Sequence, residues 1–407
     1  MKGNVIVGQS GGPTAAINAT LSGVIRGAKQ ALADGYVEKI YGMRNGVEGF
    51  LQERMVDLDA TFANLADLSL LEATPAAALG SCRKKLPAVE LGNETYEKIF
   101  ALFKKYNIRY FFYIGGNDSM DTVAKLSQYA KMVNYEIRAV GVPKTIDNDL
   151  SATDHTPGFG SAAKYIATTL SEILCDTAVY QIPAVTIVEI MGRDAGWLTT
   201  AAALTSLNGK AVDYIYLPEV AFSIDAFLED VKKALARHPN VTIAVSEGIR
   251  DKDGNYISAS GTKDNFGHVQ LTGAGRVLES IVREKIGCKV RSIEISLMQR
   301  CASHIASLTD IKESVQTGEA AVRFAVRGST GTMICIKRYD DTENYETYFE
   351  ALDVASIANA VRSVPLEYIN EEHNGVTQAC LDYLAPLIMG ELPIVYKNGM
   401  PMHFSFE

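Results

Sequence analysis

Between positions 144 and 149 the chain carries a lysine, a threonine hydroxyl and two carboxylates, in the run Lys144-Thr145-Ile146-Asp147-Asn148-Asp149. An amine and a hydroxyl can hold an anionic group while a carboxylate takes the proton of an alcohol. Alone, the run also suits a solvated turn built on an Asx motif. Two glycine stretches give it company: Ser10-Gly11-Gly12-Pro13-Thr14 and Gly115-Gly116-Asn117-Asp118-Ser119. Consecutive glycines let backbone N–H groups approach an anion, and a following helix adds the favourable end of its dipole. Neither stretch is a P-loop, because G-x-x-x-x-G-K-[ST] is absent. Other polar clusters contribute the cations Arg83, Arg193, Arg291 and Arg300 and the carboxylate Glu247. Many anion receptors with a few carboxylates and no thiol–histidine pair suit phosphoryl transfer assisted by Mg2+. Hydride transfer is poorly supported. Gly158-Phe159-Gly160-Ser161-Ala162-Ala163 fits G-x-G-x-x-A, but no apolar strand directly precedes it.

Such groups must be brought together by a scaffold, and the hydrophobic pattern supplies one. Apolar runs at 5–7, 39–43, 109–114, 137–142, 184–190, 214–217, 241–245 and 290–295 read as strands. Helical spacing appears at 15–30, 94–106, after the loop ending at Met120 through Met132, at 161–174, with Ser161 as its cap, and at 199–207; 46–50 reads as a loop, and 267–280 leads into a further helix. Pro143 cannot donate a ladder hydrogen bond, so the chain leaves its sheet just before Lys144. Strands alternating with helices predict an α/β protein with doubly wound, mostly parallel sheets. Ligands of such sheets sit beyond the carboxyl ends of the strands, where these polar clusters fall.

The 407 residues are 47% hydrophobic and 21% charged, which predicts a large core and two domains. A net charge of −9 argues against nucleic acid and anionic membranes as partners. No apolar run approaches the roughly 20 residues of a membrane span, and the first residues read as a strand, not a signal peptide. The six cysteines are scattered without C-x-x-C and the six histidines form no H-E-x-x-H. A reduced, cytoplasmic chain without zinc is expected.

In order and approximate spacing, Ser10-Gly11-Gly12, Gly115-Gly116-Asn117-Asp118-Ser119, Pro143-Lys144-Thr145-Ile146-Asp147-Asn148-Asp149, Met191-Gly192-Arg193, Ser246-Glu247-Gly248 and Gln299-Arg300 resemble the phosphofructokinase family. The resemblance covers residues 1–310; no motif is recognised beyond about 340. It implies two Rossmann-like domains, a phosphoryl-donor domain of residues 1–158 plus 301–360 and a sugar-phosphate domain of 159–300 plus 361–407. Asp147 would take the proton of the sugar 1-hydroxyl. Thr145 and Ile146 would hold the reacting groups, and Asp149 would orient them or the metal. Gly11 would contact the donor, and Arg83 would bridge donor and acceptor phosphates. Met191, Gly192, Arg193 and Glu247 would bind fructose 6-phosphate. Arg291 and Arg300 would grip its 6-phosphate, one of them from a neighbouring subunit, so a homodimer or homotetramer with a shared active site is expected.

ATP-dependent members carry glycines where this chain has Asp118 and Lys144. An Asp there fills and repels the space of a nucleotide α-phosphate; one like-charge contact at ~4 Å is worth up to about 4 kcal/mol at an effective dielectric of 20. Lys144 would neutralise a phosphate leaving group. The pair resembles the pyrophosphate-dependent branch and implies reversible, Mg2+-dependent transfer from pyrophosphate to fructose 6-phosphate, a step of glycolysis. Three departures stand out. Asn117 replaces the usual first Asp of its loop and shifts metal ligation toward Asp118 and Asp149. Ala184 and Leu297 replace phosphate-pocket residues and leave room for another acceptor, such as sedoheptulose 7-phosphate. ATP as donor, and a sugar-phosphate-sensing subunit without catalysis, are the other readings.

Overall fold

The computed structural model describes residues 1–258, 273–339, 344–358 and 360–406. Its strands are β1 (Gly3–Gln9), β2 (Val37–Met43), β3 (Met55–Asp57), β4 (Ile108–Gly115), β5 (Arg138–Pro143), β6 (Ala184–Ile190), β7 (Tyr214–Tyr216), β8 (Asn240–Ser246), β9 (Lys289–Glu294), β10 (Thr332–Arg338) and β11 (Thr347–Asp353), with a terminal hairpin of β12 (Tyr396–Lys397) and β13 (Met400–Pro401). One sheet has the order β11-β10-β5-β4-β1-β2-β3 and a second the order β7-β8-β6-β9. The expected parallel pairing holds through the centre of the first sheet and all of the second. The first sheet is finished by antiparallel partners, β3 on β2 and β11 on β10.

The sequence of β4 shows why its place is central. Ile108 to Gly115 is a nearly unbroken apolar run buried on both faces, as a parallel strand covered by helices on either side must be. Phe111 and Tyr113 face the helix Glu94–Lys105 through Phe103, whereas Tyr110 and Phe112 face the helix Ile17–Ala33 through Leu21 and Val24. The neighbours are in register, Gln9 opposite Ile114 and Gly115 opposite Pro143. Three polar loops therefore leave the sheet side by side.

Several local expectations change. Residues 46–50 form a short helix, entered through Asn45 in the left-handed region, a conformation Asn tolerates. The helix assigned from 161 begins at Phe159. Ser161 lies inside its first turn, where its N–H and Oγ donate to the Asp310 carboxylate; Gly158 N–H donates to the same group at 2.8 Å. The cap thus comes from a residue distant in sequence. Residues 197–208 are one α-helical turn followed by a 3-10 stretch. The helix expected from 267–280 spans Ala274–Lys285, and 267–272 lie outside the described residues.

The long helix Leu308–Val326, for which the sequence reading had no expectation, crosses Ile17–Ala33 at very close range. A methyl group added at Gly23 would stand 1.9 Å from the Val315 carbonyl oxygen, and one at Gly318 would stand 2.3 Å from that of Thr20. Backbone cannot yield as a side chain does, so Gly23→Ala is expected to destabilise by about 3 kcal/mol, the upper end of overpacking costs. Urea unfolding monitored by circular dichroism measures this; a loss below about 1 kcal/mol would mean that the helices separate easily.

The core of the second sheet takes in the C-terminal segment through Val364, Ile369, Tyr383, Leu384 and Leu387. Phe404 and Phe406 return to the first sheet's side, where Phe404 packs 4.8 Å from Phe62 between ring centroids. All six cysteines are free thiols. Among the described residues no helix is long and apolar enough to cross a membrane.

Candidate active site

The loop after β5 is held by its own backbone and by one asparagine. Lys144 N–H donates to Gly115 O at 3.0 Å and Thr145 N–H to Pro157 O at 3.2 Å. Asn148, fully buried and in the left-handed region, accepts from Thr156 N–H at 3.0 Å and donates through Nδ2 to the Tyr383 hydroxyl at 2.9 Å. Pinning Asn148 beneath the loop leaves Asp147 and Asp149, on either side of it, in the wall of a cavity of about 460 Å³. Thr145 Oγ1 accepts from Asp147 N–H at 3.1 Å and donates to its carboxylate at 3.3 Å.

The glycine loop after β1 faces this wall. Gly11 N–H is committed to Cys82 O at 3.1 Å, and Ser81 Oγ donates to Gly11 O at 2.7 Å. Those bonds bring the basic run at 83–85 to the cavity rim, with Arg83 and Lys84 in the lining. An anion here meets cations in place of the Gly11 amide. Lys144 is 2% exposed, and its amine donates to Gly12 O. A methyl group at Gly12 would stand 3.6 Å from an Arg300 guanidinium nitrogen, so Arg300 reaches the same loop. The loop after β4 adds the start of the helix Asn117–Met132. Asp118 lies in its first turn, lines the cavity and pairs with Lys85 at 3.1 Å. Asn117 Oδ1 is buried without a hydrogen-bond partner.

The opposite wall comes from the second sheet. Glu247, after β8, accepts from Gly192 N–H at 3.2 Å, and Gln299 Oε1 accepts from Met191 N–H at 3.3 Å. Arg193 completes this wall, its Nε buried without a partner. Gly248 lets the two loops close, because a methyl group there would stand 2.0 Å from Arg193 O.

Burial and crowding set the charges. Lys144 is pushed down to about 8, first by burial and then by Arg83 and Arg300, with Asp147 and Asp149 working against the fall. Burial raises Asp147 above the usual carboxylate range, against the pull of the Thr145 hydroxyl and of Lys144, Arg193 and Arg300. Asp149 is raised to about 7 by burial and by the neighbouring Asp147 charge. Burial also lifts Glu247 to about 7. A cleft lined by desolvated cations and carboxylates is poised to receive a highly charged anion, and such shifted groups concentrate where chemistry is done.

A family model described as phosphofructokinase matches residues 4–325. The chain belongs to the phosphofructokinase family. It is 39% identical over 401 residues to the pyrophosphate–fructose 6-phosphate 1-phosphotransferase of Halomonas elongata, covering 98% of this chain and 94% of that protein. The crystal structure of pyrophosphate-dependent phosphofructokinase from Nitrosospira multiformis superposes with a TM-score of 0.89 at 37% identity, covering 99% of this chain and 96% of that one. The corresponding structure from Marinobacter aquaeolei gives 0.86 at 35%, covering 99% and 95%. The doubly wound phosphofructokinase fold expected from the sequence is the one observed.

Of the residues expected to form the site, Gly11, Arg83, Asn117, Asp118, Lys144, Thr145, Ile146, Asp147, Asp149, Met191, Gly192, Arg193, Glu247 and Arg300 share one cavity. Arg291 and Leu297 are not in its lining. Arg291 lies on β9 opposite Thr186 and opens on a smaller hollow with Tyr180, Asn240 and Lys289. Leu297 is 55% exposed. The lining also includes Val361, from a segment in which the sequence showed no motif.

The raised carboxylates give a stability prediction. A folded-state value near 7 for Asp149, against about 3.9 unfolded, means that the native chain binds the extra proton between those limits. Stability is therefore lost as pH rises from 4 toward 7 and stays low above. Asp149→Asn removes that penalty and is expected to stabilise the ligand-free protein at pH 8 by about 2 kcal/mol, allowing for partial solvent screening. The gain shrinks toward pH 4. Denaturant midpoints at both pH values measure it, and a gain that grows on acidification would reverse the assignment.

Proposed function

We propose that the chain is a reversible phosphotransferase that moves a phosphoryl group from pyrophosphate to the 1-hydroxyl of fructose 6-phosphate. The observation that carries this reading is the Lys144 amine, buried against the Gly11–Gly12 turn with Asp118 nearby in the same lining. Amine and carboxylate stand at the positions where ATP-dependent family members have glycine, in space that a nucleotide would need. Pyrophosphate needs no such space, and its leaving phosphate gains a fixed cation.

In the proposed reaction Met191, Gly192, Arg193 and Glu247 orient the sugar phosphate. Asp147 accepts the proton of the 1-hydroxyl as its oxygen attacks the terminal phosphorus. The bridging P–O bond of pyrophosphate breaks, and the departing phosphate is met by Lys144, Arg83 and Arg300. Placing such cations on developing charge is the main way an enzyme accelerates phosphoryl transfer. Because pyrophosphate and a sugar phosphoester are closer in transfer potential than ATP and the ester, the step runs both ways.

Among the described residues no three His, Cys, Asp or Glu side chains form a metal cage. Mg2+ does not require one, since it usually takes one or two carboxylates and completes its shell with water and substrate phosphate oxygens. Asp149 and Asp118 are the candidate carboxylates, and the unpartnered Oδ1 of Asn117 is a further oxygen in the same cavity. Mg2+ bound there would neutralise phosphate charge and align the donor.

Arg291, away from this cavity, is assigned to the active site of a second copy, as a homodimer or homotetramer with shared sites would require. In this reading residues 1–158 with about 301–360 bind the donor and residues 159–300 with about 361–407 bind the sugar phosphate, although Phe404 and Phe406 pack on the first sheet's side. The test is a coupled assay of purified protein with Mg2+, fructose 6-phosphate and pyrophosphate, run also from fructose 1,6-bisphosphate and phosphate. Turnover in both directions supports the reading. Binding of fructose 6-phosphate without turnover in either direction would favour a sensing role.

A further inference from the structure

The segment 361–364 lies beyond residues 4–325 of the family match, yet it enters the cavity through Val361 and touches both walls. On the catalytic side, Val361 pairs with Leu150 as an antiparallel bridge, and Arg362 N–H donates to Asp149 O at 2.8 Å. The Arg362 guanidinium donates to Asp154 O, which also accepts from the Tyr383 hydroxyl at 2.8 Å. That hydroxyl is the one reached by Asn148.

On the acceptor side, the same guanidinium lies 4.4 Å from the ring centre of Trp197, and Trp197 Nε1–H donates to Arg362 O at 2.9 Å. Two residues on, Val364 N–H donates to Glu219 Oε1 at 2.9 Å. The same oxygen accepts from Gly196 N–H at 2.8 Å, in the loop that carries Met191, Gly192 and Arg193. Within four consecutive residues, Val361 and Arg362 thus bond to the base-bearing loop of one sheet, Arg362 also to Trp197 just after the acceptor loop of the other, and Val364 to that acceptor loop through Glu219.

We propose that residues 361–364 are a strap that fixes the distance between the catalytic base loop and the acceptor loop, with Arg362 as its positioning residue. Arg suits the task because one planar guanidinium can stack on an aromatic face and still donate in its own plane. Transfer needs the hydroxyl and the carboxylate in contact, and a displacement of about 1 Å can lower the rate of such a step by about 100-fold. The strap is anchored beneath by charge. His155 holds Asp154 at 2.8 Å and Glu313 at 2.7 Å; burial opposes its charge, but the two carboxylates outweigh that and push it up to about 9.

This inference rests on the phosphoryl-transfer reading, and the single tryptophan of the chain allows the two to fail separately. Arg362→Gln is expected to lower kcat by about 10- to 100-fold while the KM for pyrophosphate stays within about threefold, because the strap sets geometry and does not touch the donor. Arg362→Lys, which keeps a cation over the ring, restores part of the loss. Trp197→Phe keeps an aromatic face under the guanidinium but removes the N–H donor together with the second ring of the indole, with an expected loss of about three- to tenfold in kcat. It also decides the matter if Arg362→Gln does not fold. Trp197 emission should respond to fructose 6-phosphate in the wild type and lose that response in Arg362→Gln. A kcat per folded chain within twofold of wild type in Arg362→Gln, or in Trp197→Phe where the Gln variant does not fold, would overturn the strap. An unchanged emission response in Arg362→Gln would do the same, and it can be read even if the wild type transfers no phosphoryl group.

Discussion

Asp147→Asn is expected to lower kcat by about 10³-fold with little change in the KM for fructose 6-phosphate, within the 10²- to 10⁴-fold range of general acid–base catalysis. Asn keeps the shape and can still meet Thr145, but it has no lone pair basic enough to take the hydroxyl proton. Burial already holds the Asp147 proton affinity above that of an ordinary carboxylate, while Lys144, Arg193 and Arg300 keep the ionised form available. A base must be ionised to act, so kcat/KM in the wild type should fall as pH drops through its folded pKa. Steady-state rates of both proteins across pH 5–9 test this. Loss of the acid limb together with the residual rate in the Asn variant would identify Asp147 as its source. A variant within tenfold of wild type would move the base elsewhere.

Lys144→Met should lower turnover with pyrophosphate by about 10²- to 10³-fold, the usual effect of removing a group placed on developing charge. Binding of fructose 6-phosphate should persist, because the acceptor wall is built from the second sheet. The same substitution should stabilise the ligand-free fold. Lys144 is pushed down to about 8 by burial and by Arg83 and Arg300, so the native state prefers the neutral amine. Between pH 8 and its unfolded value near 10.4 the unfolded chain binds more protons, and wild-type stability rises with pH. The advantage of Met is thus fully present at pH 7 and fades toward pH 10. Urea midpoints at those two pH values, set beside kcat, distinguish a cation kept for catalysis from one kept for structure. A destabilised Met variant with near-wild-type turnover would contradict both parts.

The site was far more legible than the frame that aims it. Lys144, Asp147 and Asp149 announce themselves because a strand-breaking proline is followed at once by groups that no core would keep. The glycine loops are visible for the same reason, since consecutive glycines and small polar residues interrupt strong apolar runs. The continuous apolar face of β4 also fixed its central, parallel place. The helix Leu308–Val326 left less trace, because its closest contact is made by Gly23 and Gly318, which lack side chains to pattern. The cap on helix Phe159–Thr177 was misread at Ser161 because the oxygen that serves it belongs to Asp310. Arg362 had no local signature at all. Its role comes from backbone groups of Asp149 and Asp154 and the ring of Trp197, all distant along the chain.

The central claim is that a buried amine, Lys144, and a carboxylate in the lining of the same cavity, Asp118, reserve the donor side for a phosphate without a nucleoside. The most direct measurement is kcat/KM for pyrophosphate and for ATP on one preparation, with Mg2+ and saturating fructose 6-phosphate. Pyrophosphate is expected to be preferred by up to about 10³-fold, the ceiling set by one like-charge contact of up to about 4 kcal/mol in the path of the α-phosphate. Equal or greater efficiency with ATP would contradict the account.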